Sequence, residues 1–141
     1  MRVRDPCAYA PGRIYVLPHM TPRPSPTQVL LTVAEPTRLR ILNCLAAAPL
    51  FVSDLQAILK LPQPTVSRHL KVLREAEVVR DTPVAQYVLY RLHRENGPEG
   101  RLLAAIIDGL GQDDTYRTER QRAAERSKNH TRLRVLEPVG E

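Results

Sequence analysis

The fold is decided by residues 63–76, which read QPTVSRHLKVLREA. Pro64 suits the first position of a helix, because the N–H that proline lacks would have no partner there. Three apolar residues then recur at helical spacing on one face: Val66, Leu70 and Leu73. Polar side chains point away from that face: Thr65, Ser67, Arg68 and Lys71. The pattern predicts an amphipathic helix over residues 64–75, with a polar face that can enter a groove.

A shorter helix precedes it. Ser53 is expected to cap this helix through its hydroxyl, with Asp54 favourable in the first turn. Leu55, Ile58 and Leu59 form its apolar stripe, and it stops before Leu61 and Pro62. Because only residues 60–63 separate the two helices, the pair is predicted to be a helix-turn-helix.

Two further helices are predicted upstream. Residues 27–34 form a short one that Glu35 and Pro36 end. Residues 37–48 are apolar around most of the circumference, which indicates a central, buried helix. The polar residues of this helix, which are expected to face solvent, are Arg38, Arg40 and Asn43.

The segments downstream predict a hairpin and one more helix. Residues 78–82 and 86–92 have the composition of strands, with an interruption at residues 83–85. This hairpin would be the wing of a winged helix-turn-helix. A wide apolar stripe then predicts a helix that is too apolar to remain solvated: Leu102, Leu103, Ile106, Ile107 and Leu110.

Composition indicates one basic domain with tails. The chain has 141 residues, a formal net charge of +6 and a sequence pI of about 9.8, which favours a polyanionic partner. No apolar run could cross a membrane and the N-terminus lacks a signal peptide, so we expect a cytoplasmic protein without a membrane partner. Residues 1–26 are predicted to be a Pro-rich, flexible segment, 27–112 the domain, and 113–141 a frayed basic helix or tail.

Two runs carry a resemblance to a known family. AEPTRLRIL at residues 34–42, followed by residues 63–76 and by Tyr90, Arg91 and Leu92, closely resembles the ArsR/SmtB family of bacterial repressors. The likeness covers about residues 27–110. It implies a mostly α fold with a small β-hairpin (α+β), a winged helix-turn-helix that dimerises through its first and last helices. It also implies repression through a near-palindromic operator in double-stranded DNA.

The resemblance assigns roles to particular residues. Those expected at base edges or phosphates are Gln63, Thr65, Ser67, Arg68, His69 and Lys71, with Lys71 toward the backbone. Gln can bridge adenine and Arg can bridge guanine, which suits these residue types. For His69, DNA contact and plain helix surface are equally open. Residues expected at the homodimer interface are Leu30, Leu31, Leu102, Leu103, Ile106, Ile107 and Leu110.

The sequence also departs from the family. Members that sense arsenic carry Cys-Val-Cys-Asp-Leu before the turn, whereas residues 51–55 read FVSDL. Other members place Asp and His ligands on the last helix, where residues 101–111 offer only Asp108. We therefore predict no metal site and no cofactor.

The wing departs as well, because residues 82–86 read TPVAQ and lack the Arg, Lys and Gly typical of its tip. We expect weaker wing contacts with DNA, compensated by the basic C-terminal segment. Deletion of residues 115–141 should then flatten the salt dependence of binding. A solvated charged end is the alternative interpretation.

Three alternatives bear on function. Cys7 and Cys44 would form a metalloid- or redox-responsive pair if the N-terminus folds back, although Cys44 also fits a small core residue. A winged helix can instead serve as a protein- or RNA-interaction module, which the thin wing favours and the intact recognition segment opposes. An enzyme is not expected, because the chain has no phosphate-binding Gly loop, metalloprotease motif or nucleophile elbow.

Overall fold

A computed structural model describes residues 25–94 and 96–136, with side chains placed up to His130. The predicted flexibility of residues 1–26 falls almost entirely on residues outside this description. The elements, in chain order, are α1 (Pro26–Val33), α2 (Pro36–Ala47), β1 (Leu50–Phe51), α3 (Val52–Leu59), α4 (Gln63–Glu75), β2 (Val79–Val84), β3 (Tyr87–Leu92), α5 (Pro98–Leu110) and α6 (Asp114–Leu136). This arrangement confirms the predicted winged helix-turn-helix class.

The first two helices begin where side chains satisfy their free N–H groups. Ser25 and Gln28 form a capping box: Ser25 Oγ accepts from the Gln28 N–H at 3.2 Å, and Gln28 Oε1 accepts from the Ser25 N–H at 3.0 Å. Glu35 caps α2 by accepting from the Arg38 N–H at 2.8 Å. Both helices therefore start one residue before the predicted position, at Pro26 and Pro36.

The start of α3 differs from the expectation that Ser53 caps it. The helix begins at Val52, and the Asp54 carboxylate accepts from the Phe51 N–H at 2.9 Å. Ser53 instead lies exposed in the first turn. The two residues before α3 form β1, which pairs with β3. Phe51, the second of them, is the N-cap residue, so Ser53 lies inside the helix and cannot cap it.

The turn between α3 and α4 is tight. Lys60 adopts a left-handed backbone conformation with φ 56°, and its N–H donates to Gln56 O at 2.9 Å. Pro62 follows in an extended conformation, and α4 starts at Gln63 with Pro64 in its first turn. The helix-turn-helix is thus formed with the predicted spacing.

The wing is more regular than predicted. Pro83 does not interrupt the hairpin: it lies in β2 opposite Val88, and only Ala85 and Gln86 form the loop. The sheet order is β1-β3-β2, which makes β2 an edge strand, where the missing N–H of proline is tolerated. Ala85 has φ 53°, a conformation usually left to Gly, Asn or Asp in a two-residue hairpin loop.

The core forms around α2, as predicted, but one of the polar residues of this helix is buried. Residues 41–45 are buried without a break, and Asn43 is 0% exposed. The side of α2 that carries Asn43 is covered by α6, which also lies against α3. Residues 114–136 thus form one helix, and this helix lies against α2 and α3.

Candidate nucleic-acid interface

The outer face of α4 carries most of the predicted DNA-contacting residues. Val66, Leu70 and Leu73 are fully buried and fix the orientation of the helix. Gln63, Arg68 and Lys71 are exposed, and Thr65 and Ser67 are half-buried on its two flanks. Donors and acceptors suited to base edges and phosphates therefore line one accessible side of the second helix of the helix-turn-helix.

His69 is placed differently from the other five. Its side chain is 19% exposed, and Nδ1 lies 3.6 Å from Glu35 Oε2 at the start of α2. Burial of Glu35 acts to raise its pKa, but the backbone N–H groups of Arg38 and Thr37 and the nearby His69 hold that pKa below its usual value. This contact links α4 to Glu35, the residue that caps α2.

The wing presents little positive charge at its tip. Thr82, Pro83, Ala85 and Gln86 are exposed and uncharged. The charged residues lie nearer the base of the hairpin, where Arg74 Nη1 meets Asp81 Oδ2 at 3.1 Å and Arg80 contacts His93 at 3.3 Å. That the wing makes weaker contacts with DNA stays a prediction.

The cysteine and metal candidates lie in unfavourable or undescribed positions. Cys44 is 0% exposed, and burial together with the nearby Glu119 raises the pKa of its thiol to about 12. Cys7 lies outside the described residues. Asp108 is exposed, and within residues 25–94 and 96–136 no three His, Cys, Asp or Glu side chains are grouped so as to hold a metal ion.

The predicted dimer residues divide between the surface and the core. On α1, Leu30 is 47% and Leu31 71% exposed, so two adjacent large apolar side chains reach the surface. On α5, which contacts α1, Leu103 is buried in the core of its own chain. The remaining predicted positions on α5 are half-buried: Leu102, Ile106, Ile107 and Leu110.

Contacts between α6 and the domain were not expected from the sequence. Arg40 donates to Glu119 Oε1 from Nε at 2.8 Å and from Nη2 at 2.6 Å. Asn43 donates to Tyr116 O at 2.9 Å and accepts from Arg120 Nε at 2.6 Å. These contacts recur at helical spacing along α6, but because the residues are polar a search for apolar periodicity does not detect them.

The tight turn between α3 and α4, the exposed polar face of α4 and the adjoining hairpin define a winged helix-turn-helix protein. The family model described as "Bacterial regulatory protein, arsR family" matches residues 35–81, from the start of α2 into the wing. The biofilm growth-associated repressor of Agrobacterium fabrum is 38% identical over 91 residues, which span 64% of this chain and 76% of that protein. The chain belongs to the arsR family of bacterial regulatory proteins.

Two further proteins show the range of this similarity. An arsenic resistance transcriptional regulator of Pseudomonas putida is 41% identical over 78 residues, which span 55% of this chain and 61% of that protein. The crystal structure of the transcriptional repressor BigR from Xylella fastidiosa superposes with a TM-score of 0.54 at 26% identity, covering 62% of this chain and 85% of that one. Within the described residues, no helix is long and apolar enough to cross a membrane.

Proposed function

We propose that this chain is a transcriptional repressor that binds a near-palindromic operator as a homodimer and inserts α4 of each subunit into the major groove. The observation that carries this proposal is the outer face of α4, where Gln63, Arg68 and Lys71 are exposed on a rigidly seated helix. Relatives named as repressors, and the net charge of +6, support the same function.

The chemistry of this face suits direct reading of bases. Arg68 can donate two hydrogen bonds to guanine O6 and N7, and Gln63 can pair with adenine N6 and N7. Lys71 is exposed one turn further along α4, and its ammonium group suits a contact with the phosphate backbone. His69, held at Glu35, contributes to the position of α4.

Homodimerisation would bury the exposed apolar residues of α1. Leu30 and Leu31 lie exposed on α1, which contacts α5, and Leu102 and Ile106 of α5 are half-buried. A two-fold axis through these helices would cover the apolar side chains of both subunits and place two α4 helices on one side of a duplex. The dimer would thereby read two half-sites about one helical turn apart.

A cysteine-based response is a second candidate, and the name of the arsenic resistance relative favours it. With α6 docked, the position of Cys44 disfavours this response, because burial keeps the thiol from solvent and raises its pKa. Arsenite would release DNA from the wild-type protein and leave the Cys7→Ser variant bound if the cysteine pair senses it.

Selection of bound duplexes from a random DNA pool at physiological salt tests the proposed function. We expect the wild-type protein to enrich an inverted repeat. The variant Gln121→Glu, altered on the outer side of α6, is the control and should enrich the same sequence. A pool that stays random, or preferential binding of RNA, would instead support the protein- or RNA-interaction module.

A further inference from the structure

The helix α6 is attached to the domain mainly by polar contacts. Along residues 114–130, Ala123 is the one buried apolar side chain, and Glu119 is buried beside it. Most of the remaining attachment consists of charged or amide groups: the pair Arg40–Glu119, the bonds of Asn43 with Tyr116 and Arg120, and a bond from Arg120 to Ile107 O. A segment with so few buried apolar contacts opens at a lower free energy than the core does.

The far end of α6 is fastened at one buried carboxylate. Asp54, on the first helix of the helix-turn-helix, is 0% exposed. Its Oδ1 accepts from Arg126 Nε at 3.0 Å and lies 2.7 Å from His130 Nε2, while Oδ2 accepts from the Phe51 N–H at 2.9 Å. The His130 ring also meets Phe51 edge to face, at 5.3 Å between centroids. Hydrogen bonds to an ionised carboxylate are stronger than those between neutral groups, so these contacts hold the far end of α6 against α3.

Cys44 lies beneath the other half of α6. It sits on α2 next to Asn43, and the charges of Glu119, Arg40 and Arg120 all act on its thiol. Separation of α6 from α2 would admit water to this side of α2. Accessibility of Cys44 therefore reports whether α6 is open or closed.

We propose that α6 is a detachable strap, latched at Asp54 by Arg126 and His130, whose closure holds α3 in the position that DNA binding needs. The strap opens without unfolding of the remaining core, and it exposes Cys44 when it opens. Asp54, Arg126 and His130 are thus positioning residues for the helix-turn-helix. The part of this inference that concerns DNA rests on the proposed function.

Thiol labelling tests the strap without DNA. In a Cys7→Ser background Cys44 is the sole cysteine, since the chain has two. We expect slow labelling of this protein, and labelling about ten- to a hundredfold faster in Asp54→Asn and in His130→Gln, as loss of charge-assisted hydrogen bonds implies. Asp81→Asn, which removes the Arg74–Asp81 pair of the wing, should leave the rate unchanged.

A second control separates opening from unfolding. Val79→Ala weakens the core away from α6. Urea titration measures the free energy of unfolding of Val79→Ala, Asp54→Asn and His130→Gln, so that their global stabilities can be compared. His130→Gln should label faster than Val79→Ala even where their global stabilities match. Labelling of His130→Gln at the rate of the Cys7→Ser parent, or rates that follow global stability alone, would refute the strap.

Coupling to DNA is measured with the duplex that the wild-type protein selects. A bound operator should slow the labelling of Cys44, and His130→Gln should bind that operator more weakly, because the two equilibria are linked. Equal operator affinity in His130→Gln would refute the coupling. If the wild-type protein binds no duplex, the proposed function fails, and the labelling rates still decide whether α6 is a strap.

Discussion

Arg68 and Lys71 are both exposed on α4, but they suit different parts of a duplex. The guanidinium of Arg68 presents a planar fork of donors that matches one base edge, whereas the ammonium of Lys71 is a point charge that suits any phosphate. Among the described residues neither side chain forms an ion pair, so both are available to DNA. One helix can therefore supply selectivity and sequence-independent affinity together.

We expect Arg68→Ala to weaken binding to the selected operator by about 1 to 3 kcal/mol and to relax the preference at one base pair. Lys71→Ala should weaken binding to all sequences alike and reduce the salt slope by about 1. Titration of operator and scrambled duplexes at several salt concentrations measures both effects. Equal losses on both duplexes for Arg68→Ala would show that this residue meets phosphate.

Two buried polar residues show where prediction from the sequence stops. Asn43 was expected at the surface, since an amide among apolar residues normally marks the solvated side of a helix. Asp54 was expected to stabilise the first turn of α3 and does so, but its burial beneath Arg126 and His130 depends on a helix about 70 residues away. Long-range polar contacts of this kind leave no local periodic signal.

The elements differ in how strongly the sequence specifies them. The helices α2, α4 and α5 could be predicted because apolar residues recur along each at helical spacing. The strand β1 could not be predicted, because two residues carry no pattern. The sequence predicts a break at Pro83, because the edge position of β2 becomes known only from the sheet order. The docking of α6 could not be predicted from the sequence, because its contacts with the domain are polar.

The position of α6 changes how its role in DNA binding is tested. Deletion of residues 115–141 would remove Glu119 and Ala123 from the buried interior, and so would mix lost packing with lost charge. Lys128 is exposed near His130, at the end of α6 that meets Phe51, and Phe51 in turn contacts Tyr87 of the wing at 6.0 Å. Arg117 is exposed at the opposite end of α6.

Lys128→Gln should make the salt dependence of operator binding less steep by about 1, because a basic α6 that contacts phosphate beside the wing would lose one cation there. Arg117→Gln, which removes the same charge far from the wing, should leave the slope unchanged. Affinities at four or more salt concentrations give both slopes. An identical slope in Lys128→Gln and the wild-type protein would exclude α6 from the interface.

At the scale of the molecule, the part of the chain that the structure describes leaves large apolar side chains of α1 exposed. Leu31, which is 71% exposed, lies on a helix that packs against α5. Because the proposed dimer is two-fold symmetric, one substitution in α1 would alter its interface twice.

Leu31→Glu should convert the protein to a monomer in analytical ultracentrifugation and weaken operator binding, since two uncompensated carboxylates would be buried at the interface. The folded monomer should keep its helical circular dichroism, because Leu31 is outside the core. Gln121→Glu adds the same charge on α6 and should remain dimeric. A dimeric Leu31→Glu protein would place the interface elsewhere.

Low pH should reduce the free energy of unfolding, partly through protonation of Asp54. Burial acts to raise the pKa of this carboxyl, but hydrogen bonds from His130, Phe51 and Arg126 hold it below its usual value. A carboxyl with a lowered pKa stabilises the folded state above its unfolded pKa of about 3.9, and this contribution is lost as pH falls through the folded pKa.

Urea titrations should therefore show the wild-type protein to be more stable than Asp54→Asn at neutral pH. The difference should shrink below about pH 4. A difference that persists unchanged at low pH would mean that the charge of Asp54 contributes nothing to stability.

The proposal that a dimer reads two half-sites with its two α4 helices is tested most directly by changing the distance between the half-sites. The affinity of the wild-type protein is measured for its selected duplex after insertion of roughly five base pairs, half a helical turn, between them. Two α4 helices fixed by one dimer cannot both reach half-sites on opposite faces of the duplex. We predict a loss of affinity to the level of a single half-site. Unchanged affinity for the lengthened duplex would contradict a dimer that reads two successive major grooves.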